Sequence, residues 1–188
     1  MTHSKILCFA GSNRSASFNK SLAGAMAKQL SLLDCEVTLI SLQDYPLPLF
    51  DQDEEAEKGI PENAIKLAKL LASQDGVFIA SPEYNASISP LLKNTIDWIS
   101  RLPNSDPHPF KSPVYAIGGA SPGGLGGIRG LAHLRQVLVA LGALVLPQQV
   151  SVGSAHSAFD DTGDLSDNRT AAFLGDAAAS LLSHSKRF

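Results

Sequence analysis

Cysteine is scarce in this chain. Two occur in 188 residues, Cys8 inside an apolar run and Cys35 at the start of another. That excludes a disulfide-stapled scaffold, and both read as small apolar fillers rather than a redox pair. Charge is scarce as well. Charged residues make up 18% with a formal net charge of -3, so a basic nucleic-acid footprint and an acidic disordered tail are both excluded, and a small-molecule partner is expected. Long apolar runs are missing too: after Met1-Thr2-His3-Ser4-Lys5, the run Ile6 to Ala10 passes straight into polar residues, too short for a signal peptide or a membrane span. A cytoplasmic protein is expected. The five histidines, His3, His108, His133, His156 and His184, are dispersed without metal spacing, and no metal site is expected.

What is present is alternation. A chain of this length can bury a core without disulfides or metal, so one domain over residues 1–188 is expected, with no regulatory domain after the last helix. Lys5 to Ala10 reads as a strand, Phe18 to Leu33 as a helix capped by Ser17 or Asn19, and Cys35 to Leu42 as a second strand. Gln43 to Gly59 is rich in proline and acids yet carries Tyr45, Leu47, Leu49 and Phe50, which predicts a folded cover. Pro61 opens a helix to about Ser73, and Gly76 to Ser81 is a third buried strand. Ser89-Pro90 starts a helix to about Arg101, and Pro103 to Pro109 reads as an exposed turn. Val114 to Gly119, a helix from Ile128 to Leu141, a strand from Ala143 to Val152, an acidic loop and a helix from Asn168 to Ser183 complete the chain. Pro147 removes a ladder donor, so the fifth strand belongs at a sheet edge or a bulge.

Five strands alternating with five helices predict an α/β three-layer sandwich with a parallel sheet. Right-handed crossovers favour the flavodoxin-like order 2-1-3-4-5, which places a ligand at the carboxyl ends of strands one, three and four. Three unusual loops leave those ends. The first, Gly11 to Leu22, opens a helix N-terminus, where free N–H groups suit an anion. Arg14 adds a fixed charge, and Ser12, Ser15, Ser17 and Asn19 add short donors fit for a phosphate monoester. The loop lacks both the Gly-Lys-Ser/Thr of a P-loop and the G-x-G-x-x-G of a dinucleotide fold. Strand two ends Leu39-Ile40-Ser41 without an acid for a ribose hydroxyl, which disfavours a tightly bound NAD.

The second loop, Ser81-Pro82-Glu83-Tyr84-Asn85-Ala86-Ser87, offers Tyr84 to stack on a flat heterocycle. Glu83, a single loop carboxylate, is given no catalytic role. The third loop, Gly118 to Gly127, is main chain with few side chains, suited to passing close to a planar ligand. Ser121 adds a hydroxyl, and the helix that follows points its positive end toward the ligand.

The patterns G-S-x-R-x-x-S-x-N, P-E-Y-N-x-S with Leu92-Lys93-Asn94-x-I-D-W, and S-P-G-G-x-G-G resemble those of the NADPH-dependent FMN reductase family, over about Lys5 to Val150. The middle pattern is the most specific. The resemblance implies a dimeric or tetrameric flavoprotein in which Ser12, Arg14, Ser17 and Asn19 hold the FMN phosphate. It places Pro82, Glu83, Tyr84 and Asn85 on the isoalloxazine and ribityl, and the third loop, with Ser121 and Gly124, on the other side. Ala86 stands where the family commonly has glycine, which predicts one altered backbone angle.

On this reading NADPH or NADH reduces the bound flavin, which passes two electrons to a small acceptor such as a quinone, azo dye, free flavin or metal oxyanion. No side-chain nucleophile is required, and backbone N–H groups of the third loop and its helix are expected to face the flavin edge where charge accumulates. The helices Ile128 to Leu141 and Ser89 to Arg101 carry apolar residues over more than one face. That predicts a homodimer packed through them, with Arg135 paired to an acid such as Asp97. A flavodoxin-like electron carrier without its own NAD(P)H oxidation is the alternative. A response-regulator receiver needs acids at the end of strand one, where this chain has Phe9-Ala10-Gly11-Ser12. Asp160 to Asp164 lacks the glycine and glutamate of a calcium loop and reads as a solvated turn.

Overall fold

The computed structural model of the chain describes residues 3–102 and 106–186. Its central sheet is parallel. Strands β1 (Ser4–Ala10), β2 (Cys35–Ser41) and β3 (Gly76–Ala80) are joined by helices α1 (Phe18–Ser31), α2 (Gln52–Lys58) and α3 (Glu62–Ala72). A short antiparallel hairpin, β4 (Glu83–Tyr84) and β5 (Ser87–Ile88), follows β3 and leads into α4 (Pro90–Ile99). The chain closes with β6 (Val114–Ala120), α5 (Ile128–Ala140), β7 (Leu144–Val152) and α6 (Asn168–Ser185). Part of the expected turn at Pro103 to Pro109 lies outside the described residues.

The sheet order is β2-β1-β3-β6-β7, the expected 2-1-3-4-5 once the hairpin is set aside. The central strands β1, β3 and β6 are buried almost throughout, whereas β2 and β7 alternate in exposure as edge strands do. Pro147 sits where its missing N–H does least harm. Tyr115 pairs with Val145 and Ile117 with Gln149, so Leu146, Pro147 and Gln148 form a bulge opposite Ala116 on the sheet's outer strand, with Leu146 buried in the core and Pro147 exposed.

The pleat divides the core in two. Ile6, Cys8 and Phe78 point to the face covered by α1 and α6, while Leu7, Val77, Ile79 and Ile117 point to the face covered by α3, α4 and α5. The cover from Gln43 to Gly59 folds as expected, with one addition. Asp51 accepts from the N–H groups of Asp53 and Glu54 and so caps α2, a sixth helix that apolar periodicity could not reveal because none of its residues is buried. The cover lies on α4. Trp98 is fully buried, its indole N–H donating to Pro48 O at 2.8 Å with Phe50 edge-on at 5.0 Å between centroids, and Asn94 bonds both Pro48 and Phe50 backbones. The apolar breadth of α4 is therefore satisfied within the chain.

The expected pairing of Arg135 with an acid such as Asp97 gives way, within the chain, to other contacts. Asp97 pairs with Lys93 one turn away at 2.7 Å, not with Arg135. Arg135 is half-buried and donates to the carbonyls of Val145 at 3.1 Å and Pro147 at 3.5 Å, at the irregular stretch of β7.

Candidate functional site

Register brings the three loops together. Ala10 lies beside Ala80, and Ala80 beside Gly118, so β1, β3 and β6 release their loops from one edge of the sheet. Short bonds join them at the root. Gly11 N–H donates to Ala80 O at 2.9 Å, and Ser81 N–H to Gly118 O at 2.7 Å. Ser89, which caps α4 through Leu92 N–H, also donates its hydroxyl to Gly11 O at 2.7 Å.

The first loop is left open. Ser17 is the N-cap residue of α1, yet its hydroxyl makes no capping bond and the first turn carries no acid. The opening N–H groups of the helix therefore face outward without a counter-charge. Arg14 is exposed, held with its guanidinium 5.4 Å from the ring of Phe18, the first helical residue. Ser12 is buried, its hydroxyl near Arg14 N–H at 3.4 Å. Asn13, which sequence reading passed over, holds its side-chain oxygen buried with no partner among the described residues, an acceptor that a ligand hydroxyl would satisfy. Asn19 stands apart from this group. Its amide donates to Ala120 O and accepts from Ala120 N–H, both at 3.0 Å, so it ties α1 to β6 and is already taken up.

The second loop is the β4–β5 hairpin, which no alternating run announced. Asn85 and Ala86 are its two turn residues, with φ of 51° and 63°, the pair of left-handed residues that a type I′ turn demands. The expectation of an altered angle at Ala86 is thus corrected: alanine keeps the glycine-type conformation and bears its strain. The turn lifts Tyr84, 51% exposed, where its ring face is free, while Pro82 at the base of the hairpin is buried.

Glu83 turns the other way. Its carboxylate accepts from Gly130 N–H at 3.0 Å and pairs with Arg129 at 2.6 Å. Burial pushes its carboxyl up, but these donors more than offset that and hold it below the usual range. The expectation that the start of α5 offers free dipoles to a ligand is corrected as well, since Glu83 occupies that end. The hairpin can ride so close because residue 130 is glycine: a Cβ there would meet Ser87 O at 3.0 Å and Glu83 Cβ at 3.3 Å.

Gly118 and Gly119 belong to β6, so the third loop proper starts at Ser121. It is fastened to the end of β7 by Ser121 N–H to Val152 O at 3.0 Å and by Ser151 Oγ to Leu125 O at 2.8 Å. The Ser121 hydroxyl accepts from Gly123 N–H at 3.3 Å. A Cβ on Gly124 would meet nothing within 4 Å, so this stretch of main chain borders open space.

An uncharged helix start beside an arginine, an orphan acceptor, a raised tyrosine and bare main chain, all at one sheet edge, fit the phosphate, hydroxyls and ring of FMN. Sheet order and loop placement define a flavodoxin-like α/β protein. The sequence profile of NADPH-dependent FMN reductases matches residues 4–157, and the chain belongs to that family. It is 36% identical over 169 residues to a quinone reductase of Escherichia coli (strain K12), covering 88% of this chain and 87% of the relative. It is also 36% identical over 166 residues to an NAD(P)H-dependent FMN reductase of Pseudomonas aeruginosa, covering 88% and 86%. Among solved structures, the flavoenzyme NAD(P)H:(acceptor) oxidoreductase FerB from Paracoccus denitrificans superposes with a TM-score of 0.82 at 25% identity over 98% of both chains. The chain is thus an NAD(P)H-dependent, FMN-containing oxidoreductase that reduces small acceptors.

Proposed function

We propose that Ser12, Arg14, Ser17 and the opening N–H groups of α1 hold the FMN phosphate, that Pro82, Tyr84 and Asn85 flank the flavin, and that the Ser121–Gly124 main chain borders its other side. The observation that carries this is the start of α1, which lacks both a side-chain cap and an acid and has Arg14 beside it. Glu83 and Asn19 act as positioning residues: one holds the hairpin on α5, the other holds α1 on β6. FMN held by these residues would supply the redox chemistry, a two-electron transfer between NAD(P)H and the acceptor. Tyr84 presents an apolar face for a planar partner, and the acceptor on this proposal is a quinone, in keeping with relatives named quinone reductase and 2-hydroxy-1,4-benzoquinone reductase.

A homodimer or homotetramer is retained on narrower grounds than the sequence suggested. With α4 covered, its support is the outer face of α5, where Ile128 and Val139 are 42% and 56% exposed. A cytoplasmic setting suits two free cysteines, one buried and one half-buried. Among the described residues, no helix is long and apolar enough to cross a membrane. The test of the site is a titration of flavin-free protein with FMN and riboflavin, followed by flavin fluorescence. FMN is expected to bind at least about a hundredfold more tightly, the worth of two charge-assisted contacts; equal affinities would remove the phosphate site.

A further inference from the structure

A cavity of about 400 Å3 opens between α1 and the free edge of the sheet. Its origin lies in two small residues and one stranded leucine. Cys35, Val37 and Leu39 share one face of β2; the first two pack into the α1-side core, but Leu39 is 53% exposed. Here Ala10 and Ala23 line the gap, and side chains that small leave it unfilled. Ser12, Lys20 and Asp44 supply its polar groups.

We propose that this cavity binds the adenosine end of the nicotinamide donor and that Lys20 recognises its 2′-phosphate. The proposal rests on the FMN reductase reading above. Apolar walls with a few polar groups suit a heterocycle carrying hydroxyls, and the cavity adjoins the carboxyl ends of β1 and β2, next to the β1/β3 switch point at which the flavin is placed. It borders the first loop at Ser12 and Lys20 and takes no residue from the hairpin, a position from which it can hold the far end of a donor whose nicotinamide reaches the flavin. Strand β2 ends Leu39-Ile40-Ser41 without an acid for a ribose hydroxyl, but Asp44, from the turn that follows it, lines the cavity.

Elimination favours Lys20 as the cation. Arg101 is held by Glu55 at 2.9 Å and Arg129 by Glu83 at 2.6 Å. Lys111 precedes β6, at the opposite end of the sheet, where its alkyl chain lies against Gly142. Lys20 is in no ion pair among the described residues, and its Nζ donates only to Asn13 O at 3.3 Å.

The test titrates 2′,5′-ADP calorimetrically into FMN-loaded and flavin-free protein and measures KM for NADPH and NADH. Lys20→Gln is expected to weaken 2′,5′-ADP binding and to raise the NADPH KM, each about tenfold, with the NADH KM changed less than about twofold. Leu39→Ser, at a half-exposed position that tolerates the change, is expected to weaken binding of both donors about threefold by removing the apolar wall. The assignment is overturned if Lys20→Gln leaves 2′,5′-ADP binding unchanged or raises both KM values alike. Flavin absorbance of the wild type reports the FMN reading separately, because 2′,5′-ADP binding to flavin-free protein does not depend on it.

Discussion

Helices α1 and α5 start at the same edge of the sheet, and neither has a side-chain cap or an acid in its first turn. They nonetheless end up in opposite states. The start of α5 receives the Glu83 carboxylate from a hairpin 46 residues earlier and is neutralised, whereas the start of α1 receives nothing and keeps Arg14 beside it. A helix N-terminus becomes an anion site only where the rest of the chain leaves it empty. One end builds the scaffold, and the other is kept for the ligand.

The sharpest way to break this contrast is to make α1 resemble α5. Ser17→Asp puts a capping carboxylate on the open helix start, and FMN affinity, read by fluorescence titration, is expected to fall by about two decades or more while the flavin-free protein melts no lower. Arg14→Ala removes only the side-chain charge. A loss of about one to two decades in FMN affinity is expected with stability nearly unchanged, and an unaltered Kd would refute its role.

Asn19→Ala tests the tie to β6 instead. Loss of two buried bonds should lower unfolding free energy by about 2 kcal/mol in urea, an effect present without flavin. Glu83→Ala opens the start of α5 and frees the hairpin, at a cost of about 1–2 kcal/mol, since the largely solvated Arg129 contributes little. The sign of its pH dependence follows from a carboxyl held low in the folded state. Its stabilisation is complete above the unfolded carboxylate's pKa and lost as pH falls through the folded value, so the wild-type advantage in Tm should narrow as pH falls below the ordinary glutamate range. Ala86→Gly gives the smallest effect, a gain of about 0.5–1 kcal/mol in denaturant midpoint experiments as left-handed strain is relieved against glycine's greater chain entropy.

Much of this was legible without coordinates because it is local. Continuous apolar runs marked β1, β3 and β6 as buried on both faces, and Pro147 marked β7 as an edge. Arg14, Ser17 and the glycines of the third loop were found for the same reason: each sits within a few residues of the helix or strand end that defines its surroundings. The β4–β5 hairpin was missed because four strand residues make no period, and α2 because it buries nothing.

The sequence by itself determined the strand order, the edge at which a ligand must sit and the residue types gathered there, since these follow from periodicity, proline chemistry and crossover handedness. Only the tertiary structure decided which of those residues remain available. Asn19 is taken up by Ala120, Glu83 by Gly130 and Arg129, and Arg135 by the bulge in β7, while Arg14 and Lys20 are left without ion-pair partners among the described residues. The physical reason is that a hydrogen-bonding group is committed by whatever lies within about 3 Å of it, and across separations of 47 or 101 residues no local pattern records that neighbour.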